Sequence, residues 1–281
     1  MGHPVSDIFR TCWGLLANCP FRQGNCLQFQ ADDQIVYAGD LHGHRANLAK
    51  LIAYCKLGSH PHRRLVLQEI IHGGPATQSG ADRSFDLLLR AARLKLAHPR
   101  QVFFLLGNHD LAQCTGNEIT KEGRGVCRAF RQGLQESFGQ EAAEVNDAMA
   151  QMLLAMPLAA RCPNGVMMSH SLPSPQRMGL IDWSVLDRPY WQSDFVRGGS
   201  VYEWVWGRGH LPEALDELAR RLGVKLFLLG HQPQEEGCHI VSDRAVILDT
   251  AHARGCIAVF RADEELTAQS LSEKLLKVAR L

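Results

Sequence analysis

The chain has 281 residues, 46% hydrophobic and 21% charged, with a net charge of +1. These values are ordinary for a soluble globular protein with an unstapled core, and they leave no electrostatic footprint for nucleic acid. No stretch approaches the roughly 18 apolar residues of a membrane span, and no signal-peptide core opens the chain.

The start, Met1-Gly2-His3-Pro4-Val5-Ser6, fits the short myristoylation pattern, which is too loose to carry weight. The nine cysteines are odd in number and contain no CxxC pair, so they read as reduced thiols in a cytosol-like, cytoplasmic setting. Cys12, Cys19 and Cys26 are evenly spaced, but Pro20 and Gly24 interrupt any helix that would align them for a metal.

Six apolar runs then follow one another, each ending in a polar residue that can ligate a cation. Residues 34–38 lead into Gly39-Asp40-Leu41-His42-Gly43, 64–68 into Glu69, and 102–106 into Gly107-Asn108-His109-Asp110. Residues 166–169 lead into His170, 226–229 into Gly230-His231, and 245–248 into Asp249 with His252 close behind. Continuous apolar runs of this length predict strands covered on both faces, and ligands gather beyond the carboxyl ends of such strands. Helical spacing predicts helices over 46–55, 84–98, 141–156 and 211–222, with an amphipathic helix over 264–281. Alternating strand and helix predicts an α/β domain spanning 1–281, with 1–33 as an N-terminal extension. Three long loops remain, 70–82, 111–125 and 171–201; the last holds Trp183, Tyr190, Trp191 and Phe195 and reads equally as a cover or as a satellite apolar cluster.

A mixed set of Asp, Asn and His suits Mn, Fe or Zn better than Ca or Mg. Singly, each residue has a bland alternative: His170 as a hydrogen-bonded strand-end imidazole, His231 as a turn cap, Asp249 as a turn former. The ordered set does not.

At residues 34–260 the chain resembles the calcineurin-like metallophosphoesterases, in particular the phosphoprotein phosphatase family of serine/threonine phosphatases. The family's GDxHG stands here as Gly39-Asp40-Leu41-His42-Gly43 and its GNHE as Gly107-Asn108-His109-Asp110. Its two later His motifs look like Met168-Ser169-His170-Ser171-Leu172-Pro173 and Gly230-His231-Gln232-Pro233. The resemblance implies a sandwich of two mixed β-sheets flanked by helices, a four-layer αββα fold. It also implies two divalent metal ions, manganese foremost, with Asp40 and His42 on the first, Asn108, His170 and His231 on the second, and a bridging carboxylate. It further implies in-line attack of a metal-bound hydroxide on phosphorus, with His109 protonating the leaving oxygen and Asp82 or Asp110 orienting that imidazole.

Two departures stand out. The family's GDxxDRG reads Gln68-Glu69-Ile70-Ile71-His72-Gly73-Gly74, which leaves Glu69 as the one carboxylate placed to bridge, longer than Asp by roughly 1.5 Å. Asp82-Arg83 is then a displaced second half, with Arg83 as a phosphate fork, or else a chance pair; His72 reads as a loop histidine ahead of an additional or substitute ligand. The family's arginine before GNHE is Leu106; Arg177, Arg188, Arg197 and Arg208 are the candidates to compensate, and the sequence does not choose among them, though Arg208 has the tightest context.

The expected function is therefore a metal-dependent phosphatase whose substrate is a phosphorylated protein or a small phosphorylated molecule, with neither nucleic acid nor membrane as partner. A nucleotide hydrolase or phosphodiesterase is the second reading, disfavoured by Pro233 where those branches carry a second His. A phosphate-binding module without turnover is the third.

Overall fold

The computed structural model describes residues 4–74, 76–121 and 123–281. The Met1-Gly2-His3 part of the acylation-like pattern lies outside them.

Helix α1 (Val5–Ala17) opens the chain, followed by β1 (Arg22–Gln23), β2 (Cys26–Gln28), β3 (Gln34–Asp40), α2 (Arg45–Cys55) and β4 (Arg63–Gln68). Next come α3 (Phe85–Ala97), β5 (Val102–Leu105), α4 (Asn108–Thr115), a hairpin of β6 (Thr120–Lys121) and β7 (Arg124–Gly125), α5 (Val126–Phe138) and α6 (Ala142–Leu154). Then follow β8 (Ala159–Arg161), β9 (Val166–Ser169), α7 (Ser200–Trp206), α8 (Pro212–Leu222), β10 (Leu226–Leu229), β11 (Cys238–Ser242), β12 (Ala245–Leu248), β13 (Cys256–Arg261), α9 (Ala268–Glu273) and β14 (Leu276–Lys277).

Two mixed sheets form, in the orders β1-β2-β8-β9-β10-β12-β11 and β14-β13-β3-β4-β5. The two-residue period of each strand sorts its side chains between two cores. Ile35, Tyr37, Val66, Phe103 and Leu105 of one sheet meet Met168, Leu226, Leu228, Val246 and Leu248 of the other. The alternate residues Val36, Leu65, Leu67, Phe104, Phe227 and Ile247 face outward into the helices. Both faces are buried, which is why the runs lack polar alternation. Parallel pairing of β3, β4 and β5 makes α2 and α3 their crossovers.

Three sequence expectations change. The tail is α-helical only over Ala268–Glu273, where Thr267 caps the first turn; the chain then extends so that Leu276–Lys277 pairs with the edge of β13, whose backbone groups would otherwise be open, and ends in a 3-10 turn at Val278–Arg280. The first 33 residues are built into the layers: α1 lies on α3 and α6, and β1 and β2 extend the larger sheet. The segment 111–125 is largely ordered, since α4 runs on to Thr115 and a hairpin follows. Cys12 lies in the helical core while Cys19 sits between the sheets, so the even spacing does not bring those thiols together.

Candidate metal centre

The two sheets meet where their strands end. Asp40 closes β3, and its backbone bridges to Asp249 just beyond β12, with Thr250 N–H donating to the Asp40 carbonyl at 3.1 Å. Glycine permits that approach: a Cβ on Gly39 would lie 2.0 Å from the Leu248 carbonyl oxygen. From one side the ends of β3, β4 and β5 deliver Asp40, His42, Glu69 and Asn108. From the other, β9 and β10 deliver His170 and His231.

All six candidate ligands gather here. Single donor atoms of Asp40, Glu69 and His170 lie within 4.8 Å of one another, and so do those of His42, Glu69 and His109. Asn108 Oδ1 is 2.8 Å from His170 Nε2 and 2.9 Å from His231 Nδ1, while the two ring nitrogens are 3.1 Å apart. Glu69 is common to both triads. His42, Glu69 and His231 hold left-handed backbone, with φ of 39°, 44° and 69°. Such conformations in non-glycine residues cost energy and persist only where the surrounding structure holds them.

Glu69 fits despite its length. Its carboxylate lies against the amino end of α4, accepting the His109 N–H at 3.2 Å and the Asp110 N–H at 3.4 Å. The space it fills belongs to the missing side chain of Gly107, whose Cβ would sit 2.2 Å from Glu69 Oε1.

Electrostatically the cluster is crowded. Burial raises the pKa of Glu69, and the neighbouring Asp110 and Asp40 carboxylates push it further. Burial likewise raises Asp40, with Asp249 and Asp110 adding to the effect. Burial lowers the imidazoles: His231 falls to about 3, His72 to about 4, and His170 well below its ordinary value. The pocket therefore packs three carboxyl groups against neutral imidazole lone pairs. Asp110 Oδ1 and His231 Nε2 are buried with no hydrogen-bond partner. This donor set fits divalent cations, whose charge offsets the carboxylates and uses the lone pairs.

The proposed accessory residues divide. Arg208 is exposed, but its charge is felt at Asp40, His170 and His231, so it lies near the cluster. Arg83 is half-exposed and paired with Asp86 at 3.2 Å; among the described residues no contact joins it to the cluster. Arg177 pairs with Glu203, and Arg188 with Asp182 and Asp194. Asp82 accepts the Gly73 and Ser84 N–H groups, and Asp110 accepts that of Gly107, so neither carboxylate grips the His109 ring. His72 does. Its Nδ1 is 3.0 Å from His109 Nδ1, and its Nε2 is 3.0 Å from Gln113 Oε1. His72 stands at the motif position where the family has Asp, so alignment without an insertion would have found it.

Residues 34–264 match the family profile of the calcineurin-like phosphoesterases. This chain belongs to that family. Among solved structures, this phosphoesterase is similar to a protein serine/threonine phosphatase from Saccharomyces cerevisiae described as similar to human phosphatase PP5. That match has a TM-score of 0.68 at 16% identity and covers 92% of this chain and 82% of that one. It is also similar to a cold-active protein-tyrosine phosphatase of a psychrophilic Shewanella species, with a TM-score of 0.58 at 14% identity, covering 84% and 77%. At such identities these likenesses speak to the fold. No curated protein matches the chain significantly. Family membership makes the protein a metal-dependent phosphoesterase. No helix among the described residues is long and apolar enough to cross a membrane.

Proposed function

We propose that this phosphoesterase is a phosphomonoesterase with two divalent cations, acting on phosphoserine or phosphothreonine in proteins or on a small phosphorylated molecule. The observation that carries the reading is the shared position of Glu69 between two donor groups. Asp40, His42 and Glu69 would hold one cation, and Glu69, Asn108, His170 and His231 the other, with manganese the best match to this mixed set. When bound, such cations lower the pKa of water and offset charge on phosphoryl oxygens.

Arg208 orients the phosphoryl group from the side of His170 and His231. His109 serves the leaving oxygen from Nε2, because its Nδ1 is taken up by His72. Burial and the neighbouring imidazoles keep His109 neutral, and an arriving phosphate dianion favours its protonation. Beside Asp249 a groove of about 590 Å³, lined by Pro233, Gln234, His252 and Arg254 among others, has room for the body of a leaving group. The nine unpaired cysteines suit a reducing, cytosol-like compartment.

The test is hydrolysis of p-nitrophenyl phosphate and of a phosphoserine peptide by manganese-loaded protein. Asp40→Asn should cost more than about 100-fold, beyond what outer residues of a metal site cost. His109→Asn should lower kcat about 10²–10⁴-fold with metal content unchanged. Loss of metal in His109→Asn would recast that residue as a ligand. Activity that survives Asp40→Asn would end the reading, and fewer than one metal per chain would favour a binding module.

A further inference from the structure

Gln68 ends β4 with a polar side chain turned, like those of Arg64 and Val66, into the space between the sheets. It is 1% exposed and lies directly before Glu69. Its hydrogen bonds can be followed proton by proton. The Tyr37 hydroxyl has two backbone carbonyls within reach, Ser169 and Leu228 of the opposite sheet, each at 3.2 Å. A carbonyl only accepts, so the single hydroxyl proton is spent there and the Tyr37 oxygen is left as an acceptor. Gln68 Nε2 donates to it at 2.7 Å and sends its second proton towards the Ala38 carbonyl at 3.4 Å.

This fixes which way the amide faces. Gln68 Oε1 must look towards His170 Nδ1, 3.2 Å away. An Asp40 oxygen approaches the same nitrogen at 3.6 Å. Both neighbours of Nδ1 are acceptors, as are Asn108 Oδ1 and Glu69 Oε2 beside Nε2; a cation on the Nε2 side would take that lone pair and leave the proton to Nδ1. His170 Nε2 then presents a lone pair to the space it shares with Asn108 Oδ1, His231 Nδ1 and, at 3.4 Å, Glu69 Oε2.

We infer that Gln68, held by Tyr37, is a positioning residue that locks His170 in its Nδ1–H tautomer and so presets the Nε2 lone pair for the second cation. The inference rests on the metal-centre reading above. Neither residue touches substrate; both act through His170. Histidine ligands commonly donate their remote N–H to such a partner, and losing it costs about 10–100-fold in metal affinity. Here the partner is an amide whose own direction is set by the opposite sheet.

The experiment uses the full chain stripped of metal. Long-range ¹H–¹⁵N correlation of ¹⁵N-histidine protein reports the tautomer of His170, assigned by the signal lost in His170→Asn. Affinity for Mn²⁺ alone is read by competition with a fluorescent chelator. Wild type should show the Nδ1–H form. Gln68→Met, close in shape but without an acceptor, should give mixed tautomers and weaken Mn²⁺ about 10–100-fold. Gln68→Glu, which still accepts from Nδ1, should restore the tautomer. Tyr37→Phe leaves the amide free to turn and should produce a smaller version of both effects, so the inference stays testable if Gln68→Met does not fold.

An Nδ1–H signal unchanged in Gln68→Met, or Mn²⁺ affinity within twofold of wild type, defeats the inference while leaving the phosphatase reading intact. The reverse outcome separates just as cleanly. Wild type that binds Mn²⁺ with the expected tautomer yet hydrolyses no phosphomonoester removes the functional reading and keeps this one.

Discussion

Glu69 and Gly107 are one design in two residues. An aspartate at 69 would stop roughly 1.5 Å short of the α4 amino end; glutamate reaches it only because position 107 has no side chain. Gly107→Ala alone should therefore be severe, driving a methyl into Glu69 Oε1 and displacing the shared carboxylate. Glu69→Asp alone should weaken metal binding by loss of reach. Together they should be better than their separate losses summed, because the shorter carboxylate vacates the space the methyl needs. A double-mutant cycle on Mn²⁺ affinity reads this directly, with a favourable coupling expected in the range of about 0.5–3 kcal/mol for residues in contact. Strict additivity would mean the two positions do not share that space.

The segment 171–201 is held by a clasp. Arg188 donates to Asp182 at 2.8 Å and to both oxygens of Asp194 at 2.7 and 2.8 Å, and stacks 3.5 Å above the centre of the Trp191 ring. Phe195 belongs to the helical core, and Trp183 and Tyr190 pack against it. Trp183 packs on Trp204 and Tyr190 on Phe195, while it is Trp206 of α7 that turns its edge to His231. Trp204 reaches further, donating from Nε1 to Ser169 beside His170. Burial opposes the charge on Asp194, but Arg188 and the Trp191 N–H outweigh it and hold its pKa below the ordinary value. A carboxyl depressed in the folded state stabilises above its unfolded pKa, near 3.9, and loses that contribution as pH falls through the folded value. Asp194→Asn should thus cost about 2 kcal/mol at pH 7, less than a fully buried pair because Asp182 meets solvent. Urea unfolding of both proteins should show the gap narrowing towards pH 3; a gap that stays constant would point to packing in place of charge.

Elements also differ in how legible they were. Strands β3, β4, β5, β9, β10 and β12 announce themselves because both faces are buried, and their terminal polar residues mark the site. Helix α8 is bounded by Pro212 and Gly223, the latter left-handed at φ 65°. By contrast α5 lacks a side-chain cap of its own, because Glu118 from the preceding segment accepts its Cys127 and Arg128 N–H groups. Edge strands β1 and β14 are two residues each and β11 is not buried, so only pairing defines them. At the site the donors could be read because each follows a strand. Gln68, Tyr37 and Gln113 could not, since their roles exist only once the sheets face each other.

Across the whole molecule, the cluster joins two sheets that also meet through apolar side chains, the Tyr37 hydroxyl and the Asp40 to Asp249 bridge. Cations held jointly by Asp40 and Glu69 of one sheet and His170 and His231 of the other would bind the folded form and not the unfolded chain. Free metal at 100 times its Kd should then add about 2.7 kcal/mol, raising Tm by about 5 °C for a chain of this size. The metal-free state carries the opposite burden, since Asp40, Glu69 and Asp110 crowd as carboxyl groups whose pKa values burial has raised. Asp40→Asn removes one of these charges, and its side-chain oxygen can still accept the His231 N–H, which Asp40 takes at 3.0 Å. The variant should therefore melt above wild type without metal and below it with Mn²⁺. Calorimetry of both proteins, with chelator and with saturating Mn²⁺, should show that crossing. Parallel behaviour, with the variant lower in both conditions, would mean the carboxylate crowd is not what the metal relieves.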